Sequence, residues 1–209
     1  MKRLIPALLL LLAIFCAPAM AAEQKSEARQ TLEAALDDVF AILDKPEFKD
    51  SSKNQPLMQQ VKDKIYAVCD FREFSARTVG GRWRSFTPQQ QQDFVDAFGE
   101  LLFETYNSKL MAYDGQRFKF VNEIMGSKGD KVEIQTTLPY EGKEAPVNYR
   151  MIKKAGGWKI YDMIIENVGL VQNYRNQFQD ILSKQEPEEL IATIRTKAKE
   201  TKDKNHADQ

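Results

Sequence analysis

The chain has 209 residues, of which 30 are Lys or Arg and 30 are Asp or Glu, with one histidine and two cysteines. This balance leaves no basic footprint for nucleic acid, and a lone histidine in the last residues, His206, excludes Ser-His and Cys-His chemistry, whose base must be held in place. There is enough chain for one domain with a substantial core.

Lys2 and Arg3, an apolar run from Leu4 to Phe15, and small residues ending Ala19-Met20-Ala21 read as an export signal, residues 1–21, removed by cleavage. The run is too short for a membrane span, and bulky Phe15 before Cys16 argues against lipid attachment. Losing Lys2 and Arg3 leaves 28 basic against 30 acidic groups. Cys16 departs with the signal, so Cys69 stands alone and no intrachain disulfide is possible. Its apolar helical surroundings and acidic neighbour Asp70 predict a buried, inert thiol.

Leu32, Ala35, Leu36, Val39, Phe40 and Leu43 mark one face of a first helix, Ser26 to Leu43. A polar loop from Asp44 to Pro56 follows, and Leu57, Val61, Ile65 and Val68 restart a helix. Asp70 to Glu73 has the form of a capping box, predicting a short helix that stops at Val79 before Gly80 and Gly81. Thr87-Pro88-Gln89-Gln90 is a second start signal, opening a long helix with Phe94, Phe98, Leu101, Leu102, Tyr106 and Leu110 in one stripe.

From Gln116 the apolar period drops to two. Phe118, Phe120 and Ile124, then Val132, Ile134, Thr136 and Leu138, then Val147, Tyr149 and Met151 alternate with polar residues. A fourth strand, from Gly157 to Ile165, is largely apolar on both sides. In a regular strand Trp158, Ile160 and Ile164 share one face with Asp162, while Tyr161, Met163 and Ile165 share the other. Short, turn-like links predict an antiparallel meander. Helices return at Val168 to Leu182 and, after Pro187, at Leu190, Ile191 and Ile194; residues 197–209 form a charged tail expected to be flexible. The layout is α+β: a four-stranded antiparallel curved sheet packed against several helices.

Little in the chain suggests catalysis. No His/Cys cluster or Asp-rich loop offers a metal site, and Gly80 and Gly81 lack the spacing of a phosphate loop. Asp162 and Glu166 could act as acid and base. The stronger reading is structural: Glu166 and Asn167 offer acceptors to the next helix, and Asp162 pairs with a basic neighbour. What the chain has in quantity is bulk: 12 Phe, 7 Tyr and 2 Trp, with Met interleaved on the strands, a composition suited to an adaptable apolar surface.

The run Val79 to Tyr106, VGGRWRSFTPQQQQDFVDAFGELLFETY, together with Gly157 to Phe178, GWKIYDMIIENVGLVQNYRNQF, resembles the periplasmic phospholipid-binding proteins of the Mla lipid-asymmetry system, the MlaC or toluene-tolerance family. The likeness rests on the threonine-proline entry to the long helix and on the block Trp158, Tyr161, Asp162, Glu166. It implies a monomeric, non-enzymatic periplasmic carrier with a single lipid-binding domain, residues 22–196. A deep apolar pocket would take the acyl chains of a diacyl phospholipid and leave the headgroup near solvent. No cofactor is implied beyond phospholipid as cargo. The implied partners are an inner-membrane ABC transporter complex with a ring of lipid-binding domains and an outer-membrane lipoprotein-porin complex.

On this reading the long helix lines the pocket through Phe98, Leu101, Leu102 and Tyr106. The sheet lines it through Phe118, Phe120, Ile134, Val147, Tyr149, Met151, Tyr161, Met163 and Ile165, with Val79 and Trp83 nearby. Two rival readings stand beside it: a periplasmic adaptor or chaperone-like module without a cavity, and a hydrolase using Asp162 and Glu166.

Overall fold

The structure, a computed structural model, describes residues 25–207 apart from Ser51 and Glu141; the expected export signal lies outside the described residues. Ser26 opens α1 (Glu27–Leu43), its hydroxyl accepting the Arg29 amide at 3.1 Å, which satisfies one of the amides a helix start leaves unpaired. A 3₁₀ turn (Pro46–Lys49) and α2 (Asn54–Val68) follow. The stretch expected as loop to Pro56 is therefore partly helical, with Pro56 in the first turn of α2, where a missing N–H is tolerated.

The two predicted capping boxes differ. At α4 (Pro88–Met111) the box is complete: Thr87 Oγ1 accepts the Gln90 amide, Gln90 Oε1 accepts the Thr87 amide, and Pro88 takes the first position. At α3 (Phe71–Val79) only half forms, Asp70 accepting the Glu73 amide at 2.8 Å. The Glu73 carboxylate turns instead to Arg77 and Lys154, and the Asp70 amide donates to the Ile160 carbonyl at 2.8 Å. Tertiary ties to the sheet replace the local bond. A 3₁₀ turn (Gly80–Ser85) links α3 to α4, entered through Gly80 at φ 70°, a backbone region that favours glycine. Gly99 is where α2 and α4 approach, since a Cβ there would lie 2.7 Å from the Tyr66 hydroxyl oxygen.

Five antiparallel strands follow in sequence order: β1 (Lys119–Met125), β2 (Lys131–Tyr140), β3 (Lys143–Lys154), β4 (Gly157–Ile165) and β5 (Val168–Gly169). The fifth comes from a turn not foreseen in the sequence. Glu166 and Asn167 have φ 48° and 68°, and Ile165 pairs with Val168, so they are the two central residues of a tight hairpin whose twist suits antiparallel strands. Val168 accordingly lies in a strand, and α5 (Leu170–Leu182) starts at Leu170.

Two irregularities overturn the faces predicted from simple alternation. Between Arg150 and Met151 the register shifts, so that Met151 faces Ile160 while Arg150 faces Asp162 and Tyr149 faces Met163. Tyr161 is the extra residue. A bulge of this kind reverses the parity of everything beyond it, which puts Trp158 and Ile160 on one face with Met163 and Ile165, and Asp162 and Ile164 on the other. A second shift between Phe120 and Asn122 likewise separates Ile124, which is 50% exposed, from Phe118 and Phe120.

Of residues 197–209, expected as a flexible tail, those up to Ala207 continue α6 (Pro187–Ala207). Ala198 is buried against the helical core, and the Asn205 side-chain amide donates to the Glu104 carbonyl of α4 at 2.8 Å. The tail pattern hid this because its contacts use one small apolar residue and one amide.

Among the described residues three apolar clusters result. In the first, α3, α4, α5 and α6 pack around Phe94, Phe98 and Phe178, with Phe98 fully buried. In the second, Ala28 and Leu32 of α1 lie on the apolar face of the sheet, against Val132, Ile134, Tyr149, Met151 and Ile160. The third joins α1, α2 and the end of α4 around Phe40, Phe48 and Val61.

Candidate functional site

The expected lining residues fall into two groups. Val79, Trp83, Phe98, Leu101, Leu102 and Tyr106 belong to the helical cluster, and Phe118, Phe120, Ile134, Val147, Tyr149 and Met151 to the sheet cluster. Met163 and Ile165 touch both. These two residues, placed on the sheet's apolar face by the bulge, define a seam where helices and sheet meet.

Along the seam, burial is graded. Phe98, Ile134 and Met151 are fully buried, whereas Tyr106, Leu138, Met163 and Ile165 are only partly so. Burial and the nearby Tyr174 push the Tyr106 hydroxyl up to about 12, and burial raises that of Tyr149 further. Both phenols stay neutral at physiological pH and add no charge to the apolar interior.

Tyr161 is not part of this group. Its ring lies under the Arg77 guanidinium at 4.1 Å, and the charges that act on it include Arg150, Asp162 and Glu133. These last three form a ladder across β2, β3 and β4: Arg150 Nε meets Glu133 at 2.9 Å and Arg150 Nη1 meets Asp162 at 3.1 Å. Asp162 is 3% exposed, and burial raises its pKa against the pull of the Val171 amide and Arg150. Its Oδ1 accepts the Val171 amide at 3.0 Å, so Asp162 serves the start of α5, the role expected of Glu166 and Asn167. Both Asp162 oxygens are thus committed to structure, and Glu166 is a turn residue. Cys69 pairs with Ile160 in an isolated bridge, and burial pushes its thiol up to about 12, well above the range of a reactive cysteine.

Several contributors were missed from sequence. Ala28, Leu32 and Leu36 of α1 and Val171, Tyr174, Phe178 and Ile181 of α5 adjoin the candidate residues. The spacing of Tyr174, Phe178, Ile181 and Leu182 on one helical face could have pointed to α5. A cavity of about 330 Å³ opens beside Arg82, Gln179, Leu182 and Val79, one of the expected lining residues, and one of about 190 Å³ beside Ala97, Glu100, Arg195 and Lys199. Among the described residues no cluster of three or more His, Cys, Asp or Glu could hold a metal, and no helix is long and apolar enough to cross a membrane.

A solved structure of the phospholipid-binding protein from Ralstonia solanacearum, in complex with a phospholipid, superposes with a TM-score of 0.77 at 29% identity, covering 84% of this chain and 99% of that one. The intermembrane phospholipid transport system binding protein MlaC of Haemophilus influenzae is 22% identical over 171 residues, 80% of each chain. The toluene tolerance protein ttg2D of Pseudomonas putida is 26% identical over 102 residues, 48% of this chain and 47% of its own. The MlaC protein family model matches residues 33–196, from the middle of α1 through the strands and α5 into α6, and the chain belongs to that family.

Proposed function

We propose that this protein is a periplasmic phospholipid carrier. It binds a diacyl phospholipid by its acyl chains in the seam between the helical and sheet clusters and shuttles it between the inner and outer membranes, so maintaining outer-membrane lipid asymmetry. The observation that carries this reading is the likeness, over nearly the whole described chain, to a structure solved with a phospholipid bound. The continuous apolar path from Phe98 through Met163 and Ile165 to Tyr149 supports it. The partners are those of the Mla system: an inner-membrane ABC transporter complex with a ring of lipid-binding domains and an outer-membrane lipoprotein-porin complex.

The energetics suit a carrier. Burying roughly 30 methylenes at about 0.8 kcal/mol each is worth on the order of 24 kcal/mol relative to water. A bilayer offers nearly the same, so exchange between membrane and protein is close to neutral. A bare lipid crossing water would meet a prohibitive barrier. Met163 and Ile165 pack against both clusters, so entry of acyl chains between them requires these side chains to part from their neighbours, and docking to a membrane partner lowers that barrier. Native mass spectrometry of the protein purified without detergent tests the reading. A co-purified mass matching diacyl phospholipid is expected; bare protein throughout, together with no uptake from lipid micelles, refutes it.

A further inference from the structure

The cavity of about 330 Å³ lies where the end of α3 and the 3₁₀ turn after it meet the end of α5, lined by Val79, Gly81, Arg82, Gln179, Leu182 and Ser183. Its floor is apolar, since Val79 and Leu182 are buried side chains of the helical cluster. Its rim, Arg82, Gln179 and Ser183, is polar and exposed. Arg82 spans the two walls, Nη1 donating to the Leu182 carbonyl at the end of α5, where a helix leaves carbonyls unpaired. The other N–H groups of its fork are unbonded among the described residues. Gly81 leaves the cavity open: a Cβ there would meet nothing within 4 Å. Residues three apart in a 3₁₀ turn share a side, so Arg84 stands on the side of Gly81. Arg84 is exposed and, among the described residues, has no hydrogen bond or ion pair. The surrounding elements are cationic as well. α3, the 3₁₀ turn and α5 carry five arginines, Arg72, Arg77, Arg82, Arg84 and Arg175, against two acids, Glu73 and Asp180, and Glu73 is paired with Arg77 and Lys154.

We propose that this cavity is a docking site for an acidic segment of a partner protein, which seats one apolar side chain on Val79 and Leu182 and turns its flanking carboxylates to Arg82 and Arg84. The site stands on its own geometry and does not need the carrier reading. The excess of arginine sets the sign of the partner, and the planar guanidinium suits a carboxylate held through two N–H groups. The concavity sets its kind. A recessed apolar floor is filled by a side chain projecting from a protein segment, whereas the flat headgroup layer of a membrane meets convex ground. An apolar side chain seated in a pocket and ringed by arginine is also the arrangement in which protein interfaces concentrate their affinity.

The test titrates isotope-labelled protein with a capped five-residue peptide, leucine at its centre and two glutamates on each side, and follows backbone amide shifts by NMR. Shifts are expected at Gly81, Arg82, Gln179 and Ser183. Alanine in place of the central leucine should weaken binding by about tenfold. Glutamines in place of the glutamates should weaken it by about tenfold, the worth of two exposed charge pairs, and Arg84→Glu by a similar factor. Gly81→Trp, whose ring takes the open space, should remove binding. Gly81 has no positive φ and both positions are exposed, so these variants remain folded, which urea midpoints check, and their lipid occupancy by native mass spectrometry should match the parent. Absence of shifts at these amides, equal affinity for the leucine and alanine peptides, or unchanged binding in Gly81→Trp and Arg84→Glu overturns the docking site. Loss of lipid from folded Gly81→Trp assigns the cavity to acyl chains and also overturns it. So does binding to phosphatidylglycerol vesicles through Arg84 without response to the peptide, which makes this a membrane face, and so does self-association of the free protein that Gly81→Trp abolishes, which gives the cavity to a second copy.

Discussion

Tyr161 and Met163 have the same parity in a regular strand, and the bulge assigns them to different surroundings, so a matched pair of substitutions tests the seam directly. Met163→Asp removes a partly buried thioether that touches both clusters and places a carboxylate there. Full truncation of a buried methionine costs 2–5 kcal/mol, so a half-buried one costs about 1–2 kcal/mol of folding stability. The larger effect falls on the ligand. An unpaired carboxylate desolvated against acyl chains costs several kcal/mol; taking about 3 kcal/mol, lipid affinity falls about a hundredfold. Tyr161→Ala removes a ring stacked on Arg77, costing about 0.5–1 kcal/mol for the cation–π contact, and leaves lipid occupancy within about twofold of the parent. The assay is native mass spectrometry for occupancy, with urea unfolding of the same samples to show that both variants are folded. Loss of lipid in Tyr161→Ala comparable to that in Met163→Asp, or full occupancy in a folded Met163→Asp, would refute the assignment of faces.

Three further outcomes follow from the geometry. Asp162→Ala leaves the Val171 amide without its acceptor and Arg150 with Glu133 alone, and should lower stability by about 2–3 kcal/mol, measured as a shift of the urea midpoint; lipid selectivity should not change. Against the opposing cost of burial, Lys154 and Arg77 hold the Glu73 carboxyl below its ordinary 4.5, and Lys25 and Arg29 do the same for Glu33. Because these folded-state pKa values are depressed, their stabilisation is present above about pH 4.5 and is lost as the pH falls through the folded values. Asp162, raised by burial, works in the opposite sense over the same acidic range. Thermal scans should therefore be flat from about pH 6 to 8 and fall below about pH 4.5; Glu73→Gln should flatten that fall. Asn205→Ala strips α6 of its bond to the Glu104 carbonyl and of its 3.3 Å approach to the buried Glu104 carboxylate, at a cost of about 1–2 kcal/mol, visible as faster hydrogen exchange in the last turns of α6.

Much of the fold was legible because its signals are local. Thr87, Pro88 and Gln90 mark the start of α4 by chemistry confined to four residues, and the strands announce themselves by a change of period at Gln116. The faces were harder. Alternation is read from one strand at a time, whereas a bulge is a property of a pair, and nothing in the residues around Tyr161 shows that Met151 will oppose Ile160 while Tyr149 opposes Met163. The turn at Glu166 and Asn167 was obscured by Glu166, a residue that seldom adopts positive φ. Asp70 shows the limit of motif reading from the other side: its capping sequence is intact, but Lys154 competes for Glu73 and the sheet takes the Asp70 amide. The candidate residues were recognisable as apolar and bulky. Their division between two clusters that meet at Met163 and Ile165 depends on the tertiary register.

The claim that acyl chains occupy this seam is tested most directly by crosslinking. A phospholipid carrying a photoactivatable group midway along one acyl chain is loaded from micelles, irradiated, and its adducts are mapped by peptide mass spectrometry. The account predicts adducts on Met163, Ile165, Tyr106 and Leu138 and none on Tyr161 or Ile124; adducts concentrated on the opposite face of the sheet, or beside Arg82 and Gln179 away from the seam, would contradict it.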